Sequence, residues 1–318
     1  MKALVTGAAG FIGSHLSERL LGAGATVVGL DCFTDYYPRE RKEHNLTRLR
    51  RTGAFTLVEA ALADADLPRL LDGVTHVFHL AAQAGVRKSW GRDFRVYTVN
   101  NVEATQTLLE ACVGRPIERL VYASSSSVYG DEVPLPMRED ALPHPVSPYG
   151  VTKLAAEQLC HLYFANYCVP AVSVRYFTVY GPRQRPDMGF HRFLRAAMHN
   201  EAVPLFGDGR QTRDFTFVAD AVSATVAAAT RGTPGGVYNI GGGSRVELLD
   251  VFELIRQVTA RPLRLDQIDA QRGDMRDTYA DTTRARADLE FTPSVTLDQG
   301  LRAQYDWMKE AGLFDSDQ

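Results

Sequence analysis

The segment Ala3-Leu-Val-Thr-Gly7-Ala-Ala-Gly10-Phe-Ile-Gly13 decides the fold of this chain. An apolar run typical of a β-strand leads directly into three glycines at three-residue spacing, and an amphipathic helical pattern follows. Glycine allows a tight turn and a close backbone approach, and a helix N-terminus offers free N–H groups and a positive dipole end to phosphate. The segment therefore predicts a turn that binds a pyrophosphate, with a plain tight turn as the alternative.

Strand-like and helix-like patterns alternate through the first half of the chain. Apolar or β-branched runs recur at residues 3–6, 26–30, 55–58, 76–80, 120–123 and 172–176, with helical periodicity at 13–21, 101–112 and 149–167. This alternation predicts an α/β fold with a doubly wound parallel (Rossmann) sheet. We expect residues 1–176 to form a cofactor-binding domain, rejoined by about 215–240, and residues 177–318 to form a smaller C-terminal substrate lobe.

Composition and charge exclude several classes of protein. A formal net charge of −3 without a dense basic stripe argues against nucleic-acid binding. No apolar run approaches the ~20 residues that span a bilayer, and the first strand begins too early for a signal peptide, so we expect a cytoplasmic protein without a membrane anchor. The four cysteines contain no CxxC pair and are expected to be buried free thiols; no metal site is expected.

A carboxylate marks the end of the second predicted strand. Asp31 stands eighteen residues after Gly13, where it can accept hydrogen bonds from the ribose hydroxyls of an adenosine. The same negative charge would repel a 2′-phosphate, which favours NAD over NADP. The alternative is that Asp31 only caps a loop.

Tyr149 and Lys153 begin the helix that follows a proline-rich loop. Positions i and i+4 share one face of a helix, so the two side chains can act together. The pKa of a free tyrosine is about 10, and a neighbouring ammonium group and a positively charged nicotinamide would lower it by favouring the phenolate. Tyr149 is therefore a candidate general base for a substrate hydroxyl.

The chain resembles the extended short-chain dehydrogenase/reductase family, in its NAD-dependent epimerase/dehydratase branch. The resemblance rests on the GxxGxxG spacing, His79-Leu-Ala-Ala-Gln-Ala-Gly85, Asn100-Asn101-Val102 and Ser124-Ser-Ser-Ser-Val-Tyr-Gly130, and it covers essentially the whole chain. It implies that Ser125 is a third catalytic residue beside Tyr149 and Lys153. It also implies an NAD site formed by Gly7, Gly10, Phe11, Ile12, Gly13, Asp31, Leu62, Leu80, Ala81, Ala82, Asn100, Tyr149, Lys153 and Tyr176.

The sequence departs from the family at one cofactor position. Ala61 in Val58-Glu-Ala-Ala61-Leu62 stands where an acidic residue commonly meets the adenine amino group. We therefore expect backbone groups or other residues to contact the adenine.

The resemblance narrows the reaction, because members of this branch oxidise C4 of a nucleotide sugar and then diverge. In the 4,6-dehydratases the catalytic hydroxyl is followed by Asp-Glu, and the UDP-glucuronate decarboxylases typically carry a glutamate at the position of Ser127. This chain has Ser126 and Ser127 there. Because the acid–base pair for elimination is missing, the expected reaction is epimerisation through a transient 4-keto sugar with NAD kept bound.

Two segments suggest the sugar. The runs Asp31-Cys-Phe-Thr-Asp-Tyr-Tyr37 and Arg175-Tyr-Phe-Thr-Val-Tyr-Gly-Pro-Arg-Gln-Arg-Pro-Asp-Met188 look most like UDP-glucuronate 4-epimerases, and Thr178 replaces an asparagine usual in UDP-glucose 4-epimerases. The expected reaction interconverts UDP-glucuronate and UDP-galacturonate. The substrate site is assigned to Arg87, Ser125, Ser126, Ser127, Tyr149, Phe177, Thr178, Arg185, Val203, Phe206, Arg213 and Arg272.

Within this site the predicted roles differ. Arg213 and Arg272 are assigned to the diphosphate, Arg185 to the sugar end, and the run from Val203 to Phe206 to the uracil. Ser126, Ser127 and Thr178 are expected to hold the carboxylate of the uronate. For Arg87, a role in a surface salt bridge is an equally good alternative to substrate binding.

Other functions stay open on the sequence. The enzyme alternatives are a UDP-glucose or UDP-N-acetylglucosamine 4-epimerase and then a UDP-glucuronate decarboxylase. An alternative of another class is a non-catalytic dinucleotide sensor, against which the intact Ser125, Tyr149 and Lys153 argue. The resemblance also implies a homodimer in which the helices at residues 101–112 and 149–167 pair.

Overall fold

The computed structural model describes residues 1–269 and 273–314. Its strands are β1 (Lys2–Thr6), β2 (Thr26–Asp31), β3 (Phe55–Glu59), β4 (His76–His79), β5 (Arg119–Ser125), β6 (Ala171–Tyr176), β7 (Val179–Tyr180), β8 (Ala202–Phe206), β9 (Thr212–Asp214), β10 (Thr216–Phe217), β11 (Val237–Ile240), β12 (Arg245–Glu247) and β13 (Arg264–Ile268). Its α-helices are α1 (Phe11–Gly22), α2 (Arg39–Leu46), α3 (Leu67–Leu70), α4 (Phe94–Tyr97), α5 (Ala104–Cys112), α6 (Pro148–Tyr167), α7 (Gly189–His199), α8 (Val218–Arg231), α9 (Leu248–Thr259), α10 (Thr283–Leu289) and α11 (Leu297–Glu310). A π-helical segment, Thr98–Glu103, joins α4 to α5, and short 3₁₀ turns lie at Leu49–Arg51, Arg87–Ser89, Gly91–Asp93 and Ser126–Val128.

Seven parallel strands form the main sheet, in the order β11-β6-β5-β4-β1-β2-β3. The order reverses between β1 and β4, and this switch point opens a crevice at the carboxyl ends of the strands. β11 joins the edge of the sheet beside β6, so a segment late in the chain returns to the main sheet. The predicted doubly wound parallel sheet is confirmed.

Helices cover both faces of the sheet, which explains why its strands are apolar on both sides. On one face Ala3 and Val5 pack with α1 and α8, and on the other Leu4 packs with α5 and α6. Neighbouring residues of β1 therefore lie in different cores, as the alternation of side chains along a strand requires.

The C-terminal part has a separate core beneath short strand pairs. β8 pairs with β13 in parallel, and β9 pairs with β12 in antiparallel fashion. Leu194 of α7, Phe252 of α9 and Met308 of α11 are buried in this third core. The helices and short strands of this region thus share a core of their own beside the main sheet.

The cysteines are free, but only two of them lie where the sequence placed them. Cys112 and Cys160 are buried within α5 and α6. Cys32 and Cys168 are exposed, which corrects the expectation of four buried thiols, because they lie just beyond the ends of β2 and α6 rather than within them. None of the helices in residues 1–269 and 273–314 has the length and apolarity needed to cross a membrane.

Candidate active site

The glycine turn lies between β1 and the start of α1. Gly7 has a φ of 72°, and a Cβ on Gly13 would collide with the carbonyl oxygen of Gly7. Gly10 is the N-cap of α1 and supplies no side-chain hydrogen bond to it. The first N–H groups of the helix are therefore left for a ligand at the rim of the cleft.

Asp31 is buried at the end of β2 and faces this turn. Its carboxylate accepts hydrogen bonds from the backbone N–H groups of Ala9 and Phe33 at 3.1 and 2.9 Å. Lys42 of α2, which is also buried, lies 3.4 Å from the same carboxylate. No local pattern pointed to Lys42, because its partner Asp31 lies in another element and only the fold brings the two charges together.

A single cleft contains every side chain or backbone segment that the sequence assigned to the cofactor. It is lined by Gly7, Gly10, Phe11, Ile12, Gly13, Asp31, Leu62, Leu80, Ala81, Ala82, Asn100, Tyr149, Lys153 and Tyr176. Ala60 and Ala61 also line it, so at the predicted adenine end the wall is formed by backbone and small side chains. Lining residues that the sequence argument missed are Leu30, Cys32, Thr34, Tyr36, Tyr37, Lys42, Gln83, Ala84, Ala104, Ala123 and Ser124.

The start of α6, which carries Tyr149, packs against residues 124–127, which we call the serine loop. Ser147 caps the helix by accepting a hydrogen bond from the Gly150 N–H at 3.1 Å, and Pro148 occupies the first helical position. A side chain at Gly150 would collide with the carbonyl oxygen of Ser127. The glycine therefore lets Tyr149 approach the loop that carries Ser125.

Burial has the largest effect on the pKa values of Tyr149 and Lys153. Burial raises the pKa of Tyr149, while its hydrogen bond with Ser125 and the charge of Arg185 act in the opposite direction. Burial lowers the pKa of Lys153 to about 7, and its ammonium lies 4.4 Å from the centre of the Tyr122 ring. The sequence argument considered only the ammonium group and the nicotinamide, and it missed these costs of burial.

A buried ion pair packs against the loop that carries Ser125. Arg175 of β6 donates to Glu157 of α6 through Nη2 at 2.6 Å and Nε at 3.0 Å, and the Ser124 hydroxyl donates to Glu157 at 2.6 Å. Ser124 directly precedes Ser125, and Glu157 lies one helical turn after Lys153. The i+4 spacing from Lys153 is the sequence signal that would have identified Glu157.

The serine loop also faces a second, adjoining concavity. Ser126, Ser127 and Thr178 line it together with Arg213 and Asp274. The Ser125 hydroxyl accepts a hydrogen bond from the Ser127 N–H at 3.1 Å, which fixes the loop. The three hydroxyl groups that were predicted to hold a carboxylate are thus brought together from two different elements.

Three of the arginines that were assigned to the substrate, namely Arg185, Arg87 and Arg213, already have protein partners. Arg185 lines the cofactor cleft and binds Asp187 through Nε and Nη2, both at 2.9 Å. Arg87 lies 3.8 Å from the centre of the Phe206 ring and binds Asp274 at 2.6 Å. In both cases the carboxylate competes with any anionic ligand for the guanidinium group.

Arg213 differs from the other two arginines because its partners are backbone carbonyl oxygens rather than a carboxylate. Its guanidinium donates to the carbonyl oxygens of Thr212, Arg276 and Met275 at 2.8, 2.8 and 2.6 Å. It therefore fixes the backbone of residues 275–276 beside the second concavity. Arg272, the other predicted diphosphate ligand, lies outside the described residues.

Two predicted substrate residues have side chains that face a core. Phe177 is fully buried with Tyr129 and Met137, and Val203 is buried in the C-terminal core. Val203 and Phe206 are an odd number of positions apart on β8, so their side chains point to opposite faces of the strand. Of this pair only Phe206 can offer its side chain to a base.

Comparison with known proteins identifies the family. The NAD dependent epimerase/dehydratase family matches residues 3–241. The chain belongs to this family. It is 45% identical to the uncharacterized UDP-glucose epimerase YtcB of Bacillus subtilis (strain 168) over 305 residues, which cover 95% of this chain and 96% of that protein.

Other members of the family are similar along their whole length. The UDP-glucuronate 4-epimerase of Thermodesulfobacterium geofontis is 34% identical, with 96% of each chain covered. The crystal structure of UDP-glucuronic acid 4-epimerase from Bacillus cereus, in complex with UDP-glucuronic acid and NAD, is 43% identical with a TM-score of 0.95, covering 98% of this chain and 100% of that one.

The cleft fits the NAD on which this family depends. The uncapped start of α1 suits a pyrophosphate, and the buried Asp31 carboxylate suits ribose hydroxyls. Among residues 1–269 and 273–314, no group of three or more His, Cys, Asp or Glu side chains could hold a metal ion.

Proposed function

We propose that this protein is a UDP-glucuronate 4-epimerase that interconverts UDP-glucuronate and UDP-galacturonate through a transient 4-keto sugar. The observation that carries the proposal is the second concavity, where Ser126, Ser127 and Thr178 meet beside the catalytic loop. The similarity to the UDP-glucuronate 4-epimerases of Thermodesulfobacterium geofontis and Bacillus cereus supports it.

The proposed chemistry begins at the hydroxyl on C4. Bound in the cleft lined by Gly7, Asp31 and Tyr149, NAD would supply the hydride acceptor for C4 and the hydride that restores the alcohol on the other face of the sugar. Tyr149 removes and restores the hydroxyl proton, and Ser125 holds the same oxygen by a hydrogen bond. Lys153, buried one turn below Tyr149, favours the phenolate when it is protonated. These three residues remain our assignment of the catalytic set.

The outcome of the reaction depends on what surrounds the 4-keto sugar. A 4-keto uronate is a β-keto acid, which loses carbon dioxide when the bond to the carboxyl carbon aligns with the ketone π-system. Hydrogen bonds from Ser126, Ser127 and Thr178 would hold the carboxylate out of that alignment. Hydroxyl groups suit this task because they bind the carboxylate without supplying an acid–base pair for elimination.

The arginines bind and position the rest of the substrate in this proposal. Arg185 exchanges Asp187 for an anionic group of the ligand at the sugar end, and Arg87 does the same with Asp274 at the diphosphate. Arg213 acts by fixing the backbone of residues 275–276. When Arg87 moves, the face of the Phe206 ring becomes available to the uracil.

One set of reactions tests the proposed activity and its competitors. The protein is incubated with NAD and separately with UDP-glucuronate, UDP-glucose and UDP-N-acetylglucosamine, and the products are identified by NMR. We expect UDP-galacturonate from the first substrate. The name of the Bacillus subtilis relative favours UDP-glucose as the second candidate, so turnover of UDP-glucose alone would replace the proposal. A UDP-pentose product would indicate a decarboxylase instead.

We also propose a homodimer built on α6 and the helix beside it. Gln106 of α5 donates to the Tyr163 hydroxyl at 2.9 Å, which holds α5 and α6 side by side. Large apolar side chains remain exposed here at Val96, Val99, Val151 and Leu162. Light scattering should give twice the mass of the 35.1 kDa chain, and Leu162→Glu should halve it. A monomer in the unmodified protein contradicts this.

The chain organisation and cell location are part of the same proposal. Residues 1–176 with about 215–240 form the cofactor lobe, and the remainder forms the substrate lobe. A cytoplasmic location suits a protein with exposed free thiols at Cys32 and Cys168. Cell fractionation tests the location directly.

A further inference from the structure

A basic concavity lies between α2, α7 and the C-terminal end of α11, outside the cofactor cleft. Its cationic and imidazole side chains come from Arg41 on α2 and from His191, Arg192, Arg195 and His199 on α7. We call these five residues the basic pocket. A smaller cavity that contains Arg41 and His191 connects it to the wall formed by Tyr37 and Arg185. No step of the proposed reaction uses the basic pocket.

His191 gives the strongest sign that this pocket holds a ligand. Its side chain is 3% exposed, and its Nδ1 has no hydrogen-bond partner among the described residues. A buried polar atom left without a partner costs about 1–3 kcal/mol, so such atoms usually meet a ligand or ordered water. Burial and the charges of Arg41 and Arg195 lower the pKa of His191 to about 4, so the neutral imidazole retains one N–H group to donate.

Glu201 also lines the pocket and is the one carboxylate among its described lining residues, so the positive charges are only partly compensated. Within residues 1–269 and 273–314, Arg41 and Arg192 form no ion pair, and Arg195 reaches Glu201 only at 3.8 Å. The neighbouring arginines outside the pocket are well paired, since Arg183 binds Glu18 at 2.7 Å. Burial, and then the charge of Arg195, lower the pKa of Arg41. Like charges held this close favour a bound anion.

We propose that the basic pocket binds a small phosphate-type dianion between Arg41, Arg195 and His191. Two guanidinium groups match the oxygens of a phosphate, and the imidazole N–H supplies a further donor. The anion would tie α2 to α7. Because α2 also carries Lys42, the partner of Asp31 in the cofactor cleft, a bound anion would strengthen the attachment of the cofactor lobe to the substrate lobe.

Calorimetry with inorganic phosphate tests this site. Phosphate is titrated into the NAD-loaded protein with saturating UDP, which blocks the diphosphate subsite, at an ionic strength held constant with chloride. We expect one bound phosphate per chain. Arg41→Ala and Arg195→Ala should each weaken its affinity about tenfold, the usual scale for one charged hydrogen bond. Neither side chain is fully buried, so both variants should fold.

A charge-matched control separates the pocket from net charge. Arg69→Ala and Arg261→Ala each remove one exposed guanidinium group elsewhere and should leave the phosphate affinity unchanged. The proposal is wrong if UDP abolishes the binding, or if the control weakens it as much as the pocket variants do. The test needs no turnover, so its outcome is independent of the proposed activity.

The chain's own carboxylates supply a second control. Asp315 and Asp317 lie within five residues of Gly312 along the sequence, and Gly312 lines the pocket. A variant that ends at Phe314 should bind phosphate at least as tightly as the full chain. If phosphate binds only to the shortened variant, the full chain has no site for a free anion and the proposal fails.

Discussion

The cofactor cleft and the second concavity, which we propose as the sugar concavity, take their residues from the chain in different ways. The cleft takes its residues from a series of strand ends and the turns that follow them, such as Gly7 after β1 and Asp31 at the end of β2. The concavity combines Ser126 with Thr178, Arg213 and Asp274, which come from segments far apart in the chain. A site made of strand-end motifs can be recognised from the sequence. A site made of distant segments cannot, because it depends on how those segments pack together.

The largest expected effect lies where the two sites meet. Tyr149→Phe removes the proton acceptor and should lower kcat about 10³-fold, while NAD and UDP-glucuronate still bind. Initial rates and calorimetry measure the two properties. Tyr167→Phe, at the exposed end of the same helix, is the matched control and should retain full activity. Full activity in Tyr149→Phe would remove the catalytic assignment.

Glu157 tests whether the support beneath the catalytic loop acts through charge. Glu157→Gln should lower kcat about tenfold, with the loss growing as pH rises, because the carboxylate raises the pKa of Lys153 against the larger effect of burial. The measurement is the pH profile of kcat, with circular dichroism to confirm folding.

Two further variants separate charge from packing at Glu157. Ser124→Ala removes a hydrogen bond to Glu157 but keeps the charge, so it should lower kcat without moving the alkaline limb of the profile. Glu157→Gln with Arg175→Gln restores charge balance in the buried pair and should recover stability but not the pH profile. An unmoved profile in Glu157→Gln would leave the residue a purely structural role.

A smaller effect is expected at the sugar concavity. Thr178→Val keeps the volume but removes one proposed hydroxyl contact with the carboxylate, so KM for UDP-glucuronate should rise about tenfold and a pentose product should appear. NMR measures the ratio of epimer to pentose. Thr230→Val, on the exposed part of α8, serves as the control. An unchanged ratio and KM would exclude Thr178 from carboxylate binding.

The smallest effect concerns stability and pH. Because burial lowers the pKa of Lys153 from 10.5 to about 7, the unfolded chain binds a proton between these values that the folded chain does not. Stability therefore rises with pH through this window, and the cost of the buried charge is fully present below it. Lys153→Met should raise the melting temperature by a few degrees at about pH 6.5 and by less at about pH 9. An equal change at both values would contradict this.

The sequence argument succeeded where one element determines the position of a residue. Tyr149 and Lys153 lie one turn apart on α6, and the glycines share one turn, so their proximity needs no knowledge of the rest of the fold. It did not consider strand alternation at β8: Val203 and Phe206 were both assigned to the uracil, and their side chains face opposite sides of the strand. The assignment of both stays a prediction, in which only Phe206 would use its side chain.

Other features could not have been predicted from the sequence. Lys42 lies against Asp31, and Arg213 donates to carbonyl oxygens more than sixty residues away along the chain. A charged side chain carries no local signal of the partner it will meet, because that partner is set by the packing of separate elements. The exposed Cys32 and Cys168 illustrate the same limit at element ends, where a shift of one residue changes burial.

By itself the sequence determined the parallel sheet, the phosphate-binding turn and the tyrosine–lysine pair, because hydrophobic periodicity, glycine geometry and helical spacing act over a few residues. Only the tertiary structure decided which charges pair, which arginines are already occupied by Asp187, Asp274 or backbone carbonyls, and how deeply Lys153 is buried. Desolvation and partner choice depend on every element around a group, and no short stretch of sequence contains that information.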